Sequence, residues 1–218
     1  GGVRQEIPEG FLERVSNTMD YITGRLKDYD NLLFTNQIFV RRSKGAGPIN
    51  QQQALEWGVT GPNLRACGLA FDVRRDDPYL VYDQIEFDIP TEESGDAWAR
   101  TLVRRGELVE SIRIVRQVIK ALPDIKGPIN TPIPNPLAWR VTPGESYARV
   151  ESSKGELGYY VVSNGGEKPY RVHVRGPSSM HAVQVLEKLS VGNRLEDIAQ
   201  IMFSLDACPP EVDRNVVC

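Results

Sequence analysis

The chain has 218 residues, a formal net charge of −3 and a charged fraction of 25%. It is long enough to bury one large core or two small ones, and it carries no basic face for nucleic acid. Its aromatics are too few and dispersed to form a base-stacking platform, and no apolar run approaches the ~20 residues that a membrane helix needs. Cys67, Cys208 and Cys218 are widely spaced, odd in number and without a C-x-x-C pair. That pattern points to a reducing compartment and argues against a metal held by this chain alone. The opening Gly1-Gly2-Val3 has no initiator Met, which suggests a processed chain or a piece of something longer.

Val3 to Pro8 reads as an extended lead-in. From Glu9 to about Phe34, Phe11, Val15, Met19, Ile22, Leu26 and Leu33 recur mostly at spacings of three and four, one face of a helix roughly seven turns long. A helix of that length calls for a long partner. Arg41 to Pro48 is a basic, glycine-rich stretch without the Gly-Lys-Ser/Thr ending of a P-loop, and reads as a flexible connection. Gln51 to Trp57 is a short helix stopped by Gly58. In Thr60 to Gly68, Thr60 or Gly61 can cap, Pro62 suits a first helical position, and Gly68 ends the turn.

Asp72 to Asp83 is dense in charge, with Tyr79 and Tyr82 interleaved, and reads as an ordered loop. Gln84 to Pro90 alternates Ile85, Phe87 and Ile89 with polar residues, which predicts a half-buried strand. Ser94 or Asp96 caps a second long helix ending near Leu122, with Arg100, Arg104, Arg105, Arg113 and Arg116 expected on a solvated face. Pro123 to Pro143 holds six prolines and reads as an extended connector.

Beyond it, Tyr147–Glu151, Glu156–Ser163 and Tyr170–Arg175 are strands. Ser152–Gly155 and Asn164-Gly165-Gly166 are the turns of a meander. Three strands need a cover, and helices over about Ser179–Leu189 and Arg194–Leu205 are expected to supply it. The fold class is α+β: a pair of long antiparallel helices with shorter helices, plus a small antiparallel meander under two C-terminal helices. The divisions fall at residues 1–122, 123–144 and 145–218.

The chemistry gathers after the last helix, in Ser204 to Arg214. Asp206, Cys208, Glu211, Asp213 and Arg214 lie within nine residues there. Pro209 and Pro210 bar this segment from a helix interior. So many charges in one place must be solvated or satisfy one another.

Gly61-Pro62-Asn63-Leu64-Arg65-Ala66-Cys67-Gly68, followed by Asp72-Val73-Arg74-Arg75 and Pro78-Tyr79, resembles one family. It is the family of the D subunit of respiratory complex I, the NADH–quinone oxidoreductase, with its relatives the large subunits of nickel–iron hydrogenases. Tyr82-Asp83, Gly95-Asp96, Leu102-Val103-Arg104, Glu145–Glu151, Lys154–Gly158, Pro169–Arg171 and Arg175–Pro177 continue the match in order. It covers essentially the whole chain, and implies a nickel–iron hydrogenase large-subunit-like fold. It places Gly1 near the middle of the subunit, so that the chain resembles the carboxy-terminal half. The missing amino-terminal half would carry the histidine and tyrosine taken to bind the quinone headgroup.

The family divides at the terminal motif. Hydrogenase-type members carry D-P-C-x-x-C, and complex I members D-x-x-x-x-E-x-D-R. Here Cys208 holds the first thiolate position but Glu211 the second, a mismatched set for nickel and iron. The resemblance therefore implies a quinone-reducing subunit that binds no cofactor itself. It would dock beside the subunit bearing the terminal [4Fe–4S] cluster, on the cytoplasmic face of the membrane and peripheral to it. The activity implied is NADH-to-quinone electron transfer coupled to proton translocation.

On that reading Asp206 and Glu211 carry protons in the quinone chamber. Arg65 and Cys208 border it, and Asp213 and Arg214 form a buried structural ion pair. Partners would be the other complex I subunits and the missing half, with a homodimer through exposed apolar surface as a further expectation. Alternatives are a hydrogenase-type large subunit or, in isolation, a non-catalytic scaffold. His173 and His181 receive no role, and the tail Asn215–Cys218 none.

Overall fold

The computed structural model describes residues 2–132, 135 and 140–214, with Arg214 by its main chain alone. The first long helix, α1, spans Phe11–Tyr29 and runs on through a π-helical turn, Asp30–Phe34. α2, Gln37–Ser43, starts where the Asn36 side chain accepts from the amides of Ile38 and Phe39. α3, Gln51–Glu56, opens on a reciprocal capping box between Asn50 and Gln53. Two single turns follow, α4 (Pro62–Arg65) and α5 (Val73–Asp76), the latter capped by the Asp72 carboxylate.

The second long helix, α6, spans Ala97–Ala121 and is capped by Asp96. It lies antiparallel to α1, because Arg116 meets Asp20 at 2.7 Å while Arg105 grips Asp30 with two bonds of 2.7 and 2.8 Å. The arginines of α6 do not share one solvated face: Arg100 is fully buried and Arg104 half-buried, and only Arg113 and Arg116 are well exposed.

The basic, glycine-rich stretch is packed rather than free. Gly45 donates to the Asp96 carboxylate at 2.7 Å, and Gly47 gives its carbonyl to Arg100 at 2.9 Å. Of the expected strand, Gln84 closes a 3-10 turn, Tyr82–Gln84, and Ile85 to Pro90 is extended but is no strand. Ile85 and Phe87 are buried and their polar neighbours exposed, as the alternation requires. The main-chain groups are met by side chains instead. Glu86 donates to and accepts from Gln117, Asp88 donates to Glu110, and Phe87 accepts from Arg75.

The connector begins with a 3-10 turn, Leu122–Asp124, and then meets the lead-in, where Val3 donates to the Ile129 carbonyl at 2.9 Å. Connector residues 133, 134 and 136–139 lie outside the described residues, as do Cys218 and the rest of the tail.

β1 (Gly144–Ser152), β2 (Gly155–Ser163) and β3 (Arg171–Arg175) form the meander in that order. Its register runs from Gly144 opposite Ser163 to Ser152 opposite Gly155, and from Gly158 opposite Arg175 to Val162 opposite Arg171. α7 (Pro177–Ser179), a π-helical stretch (Met180–Val185) and α8 (Leu186–Ser190) make one continuous rod. α9 (Leu195–Leu205) and α10 (Pro209–Arg214) complete the chain.

The expected cover of the sheet is corrected here. α9 packs on α6, α8 and α2, its Ile201 side chain filling the space over Gly47, because its apolar face completes the helical core. That core joins Ala46, Ile49, Leu64 and Ala97 to Val185, Leu189, Ile201 and Leu205, so residues on both sides of the connector share one interior. The tip of the β1–β2 hairpin lies against the turn that starts α4.

Candidate functional site

α9 stops because Asp206 adopts a left-handed conformation, φ 54° and ψ 45°. Helices commonly end this way, most often with glycine; a non-glycine residue there costs roughly 1–2 kcal/mol, least for Asp and Asn. The turn brings the Asp206 carboxylate against α6 and the β1–β2 hairpin. Lys154 Nζ pairs with Oδ2, and Arg104 Nε approaches the same oxygen at 3.5 Å.

Arg104 is itself pinned. Its Nη1 donates to the Arg100 carbonyl at 2.9 Å, and its Nη2 to Asn63 Oδ1 at 3.0 Å and to the Leu205 carbonyl at 3.3 Å. Burial weakens its hold on the proton, and the nearby Asp206 and Glu107 carboxylates oppose that pull. Asn63 Nδ2 donates to Leu205 O at 3.1 Å and faces His181 Nδ1 at 3.0 Å. The imidazole must therefore accept at Nδ1 and carry its proton on Nε2, which has no partner among the described residues. Burial, reinforced by the charges of Arg104, Arg175 and Arg100, pushes the His181 pKa down to about 3.

One side chain docks α10. Ser178 Oγ accepts from the Cys208 amide at 3.0 Å and bonds Glu211 Oε2. Cys208 is half-buried at the start of the helix, and Pro209 and Pro210 occupy its first two positions, where a missing amide costs nothing. Asp213 is exposed, and the expected ion pair with Arg214 falls on a side chain outside the described residues.

Arg65 is 1% exposed and fully committed to the protein. Nε donates to Glu107 at 2.7 Å, Nη1 to the Phe71 carbonyl at 2.8 Å and Nη2 to Glu151 at 3.0 Å, with Asp72 at 3.5 Å. It holds the α4–α5 loop and β1 together. Glu151, 3% exposed, has its pKa raised by burial despite the Arg65 charge.

Two cavities meet at Asp206. An apolar groove of about 600 Å³ runs between the π-helical rod, α9 and α10, lined by Leu186, Met202, Phe203, Leu205 and Val212 and bounded by Asp206 and Asp213. A polar cleft of about 390 Å³ lies beside it, lined by Arg65, Arg104, Glu107, Glu151, Ser152 and Asp206. Asp206 belongs to both. Asp206 can therefore reach a molecule in the groove while its Oδ2 stays paired with Lys154 and Arg104.

Of the expected site residues, Asp206 lines both cavities and Arg65 the polar cleft, whereas Cys208 and Glu211 line neither and are tied to Ser178. Sequence reasoning passes over Lys154, Arg104, Asn63, Ser178 and His181. Arg104 and Lys154 stand inside matched motifs, and that is the only signal they carry. Among the described residues no group of His, Cys, Asp and Glu is placed to hold a metal ion.

The model of the family described as respiratory-chain NADH dehydrogenase, 49 kDa subunit, matches residues 1–138 and 136–214. The NADH-quinone oxidoreductase D subunit of Thermosipho melanesiensis is 44% identical over 216 residues, covering 98% of this chain and 58% of that protein. The D subunit of Carboxydothermus hydrogenoformans is 43% identical, with 98% and 57% covered. Among solved structures, a chain of the membrane-bound sulfane sulfur reductase, an archaeal respiratory membrane complex, superimposes with a TM-score of 0.91 at 50% identity. That match covers 98% of this chain and 58% of the other. The chain spans a little under three-fifths of the length of these relatives.

Proposed function

The chain belongs to the 49 kDa subunit family of the respiratory-chain NADH dehydrogenase, and on that footing we propose that it forms one wall of an acceptor-reducing chamber in a membrane-associated respiratory complex. The observation that carries the reading is Asp206, shared between the apolar groove and the polar cleft. The groove suits a quinone headgroup and the start of its apolar tail, and the cleft supplies water and charge. Reduction of a quinone to the quinol takes up two electrons and two protons. The electrons come from a [4Fe–4S] cluster held by a neighbouring subunit. Asp206 hands a proton to a quinone oxygen and is recharged through the polar cleft. Glu211, held by Ser178, keeps α10 in register along the groove and belongs to the same polar network. Cys208, whose amide is held by Ser178, fixes the start of α10 behind the groove, and Arg65 holds the far side of the cleft.

Coupling to proton translocation belongs to the assembly, in which this subunit sits peripherally on the cytoplasmic side. No described helix is long and apolar enough to cross a membrane. Phe203, Leu195 and Val191 are at least three-quarters exposed, surface suited to burial against the other subunits and the rest of this one. A homodimer through that surface is the corresponding proposal for the chain alone, and sedimentation velocity tests it.

A second reading concerns the acceptor. The sulfane sulfur reductase chain is more similar to this one than the two quinone-reductase relatives are, at 50% against 44% and 43%. On that reading sulfane sulfur replaces quinone, with the same residues delivering protons to the sulfide formed.

The test is acceptor reduction by the assembled complex carrying Asp206→Asn, with cluster content and assembly checked in the same preparation. A lost general acid lowers turnover by about 100-fold or more. Normal turnover would return the segment to structure and leave the chain as scaffold. Parallel assays with a short-chain quinone and an organic trisulfide separate the two acceptors.

A further inference from the structure

The β1–β2 hairpin reaches Asp206 because two glycines let two backbones touch. Gly61 has φ 66° and Gly155 φ 137°, both in the region that side chains avoid. A Cβ on Gly61 would lie 2.3 Å from Gly155 Cα, and one on Gly155 would lie 2.9 Å from the Thr60 carbonyl carbon. Thr60 Oγ1 accepts from the Glu156 amide at 3.2 Å, and Ser152 Oγ accepts from the Lys154 amide at 3.2 Å. The hairpin tip is thereby fastened to the turn that starts α4. Lys154, the last residue of the tip before Gly155, is carried to the Asp206 carboxylate.

Lys154 and Arg104 both engage Oδ2, and among the described residues Oδ1 makes no hydrogen bond. We propose that Lys154 is a positioning residue for Asp206: with Arg104 it clamps one carboxylate oxygen so that the other is presented to the acceptor, and the Gly61–Gly155 contact is the device that puts it there. The inference rests on the reading of Asp206 as the proton-delivering group. Arg104 alone cannot do the same work, because its guanidinium is already shared with Asn63 and two carbonyls and stands 3.5 Å from the carboxylate. Removing Lys154 leaves the groove itself intact, since its lining comes from the π-helical rod, α9 and α10.

The experiment compares Lys154→Gln, Lys154→Arg, Asp206→Asn and the double variant Lys154→Gln/Asp206→Asn in the assembled complex. Steady-state reduction of a short-chain quinone is read alongside cluster content. Lys154→Gln should lower kcat by about tenfold or more while leaving KM within about twofold, the pattern of an interaction used in the transition state rather than in binding. Lys154→Arg should recover most of the loss. The double variant should fall no further than Asp206→Asn alone, because the two residues act as one unit.

Unimpaired turnover in Lys154→Gln, with Asp206→Asn impaired, overturns the role of Lys154 and leaves Asp206 standing. Unimpaired turnover in Asp206→Asn overturns the underlying reading. Multiplying losses in the double variant show that Lys154 acts elsewhere and sink the proposal. If Lys154→Gln fails to assemble, Gly155→Ala decides: it keeps the ammonium but displaces the tip. It must reproduce the kcat loss, and normal turnover in an assembled Gly155→Ala complex refutes the positioning device.

Discussion

His181 supplies a titration that stability measurements can read. It is fully buried with its pKa pushed down to about 3, whereas an exposed imidazole has 6.5. Over the interval between those values the unfolded chain binds a proton that the folded chain refuses. Stability therefore falls as pH falls below 6.5 and is fully present above it. From pH 7.5 to pH 5 the linkage is worth about 2 kcal/mol, and any folded pKa below about 4 gives the same figure. Other groups titrate towards the acid end as well. Raising of Glu151 by burial opposes the acid loss, while lowering of Asp30 by Arg105 adds to it only below about pH 4. The comparison is therefore between the chain and its His181→Met variant, which keeps the volume and removes the titration. Urea unfolding at both pH values should show the variant less stable at pH 7.5 by roughly 1–3 kcal/mol, because one Asn63 N–H loses its acceptor. Its additional loss on going to pH 5 should be about 2 kcal/mol smaller than that of the parent chain. Identical pH slopes would refute the argument, since they would mean that the imidazole is solvated or charged in the folded state.

Arg65→Met should cost about 3–5 kcal/mol, because it leaves the buried Glu151 carboxylate without its cation, whereas Asp72 keeps Arg74; a thermal midpoint close to that of the parent would refute the structural role of Arg65. Ser178→Ala removes the acceptor of the Cys208 amide and the partner of Glu211, and should loosen α10 by roughly 1–3 kcal/mol. Hydrogen exchange should then rise in 208–214 and not in α6. Cys67 is buried, donates to the Asn63 carbonyl and has its thiol pushed up to about 11, so in a Cys218→Ser background native alkylation should label Cys208 and spare Cys67. Labelling of Cys67 at a comparable rate would mean that the core opens.

The two long helices are legible because their signals are local: a 3.6-residue apolar period in α1 and, for α6, a cap at the expected position, Asp96, ahead of a long run free of proline. The hairpin turns are legible for the same reason. Gln84 to Pro90 shows the limit. Alternation reports which side chains are buried, and Ile85 and Phe87 are, but it says nothing about what meets the backbone between them. Gln117, Glu110 and Arg75 do so here in place of a strand. α2 goes unread although Asn36 is an ordinary cap, because the helix is only seven residues long and glycines follow it at once. At the site, Asp206 and Glu211 can be named from the terminal motif. Their partners cannot: Lys154 lies 52 residues from Asp206 in sequence, and Ser178 lies 33 from Glu211. The arginines of α6 carry no sequence mark that separates the buried Arg100 from the exposed Arg116.

Arg100 shows why the site and the fold stand or fall together. Its guanidinium is buried without a carboxylate in contact, and burial pulls its pKa down to about 10. Burying such a charge is costly, and hydrogen bonds to its donors offset part of the cost. Nη1 bonds the carbonyls of Gly47 and Gly95 at 2.9 and 2.7 Å and Nε bonds Ser204 Oγ at 3.0 Å, while Nη2 is buried without a partner among the described residues. Those three acceptors come from the packed glycine loop, the turn before α6 and the last turn of α9, which are remote in sequence. Ser204 stands two residues before Asp206, and the carbonyl of Arg100 receives Arg104. The last turn of α9 can therefore take its place only when the regions on both sides of the connector have assembled around Arg100. The Asp206 carboxylate then inherits its geometry from the core, and the hairpin adds Lys154 to a residue already held in place. Disturbing Arg100 should disorder the groove before any residue that lines it is changed.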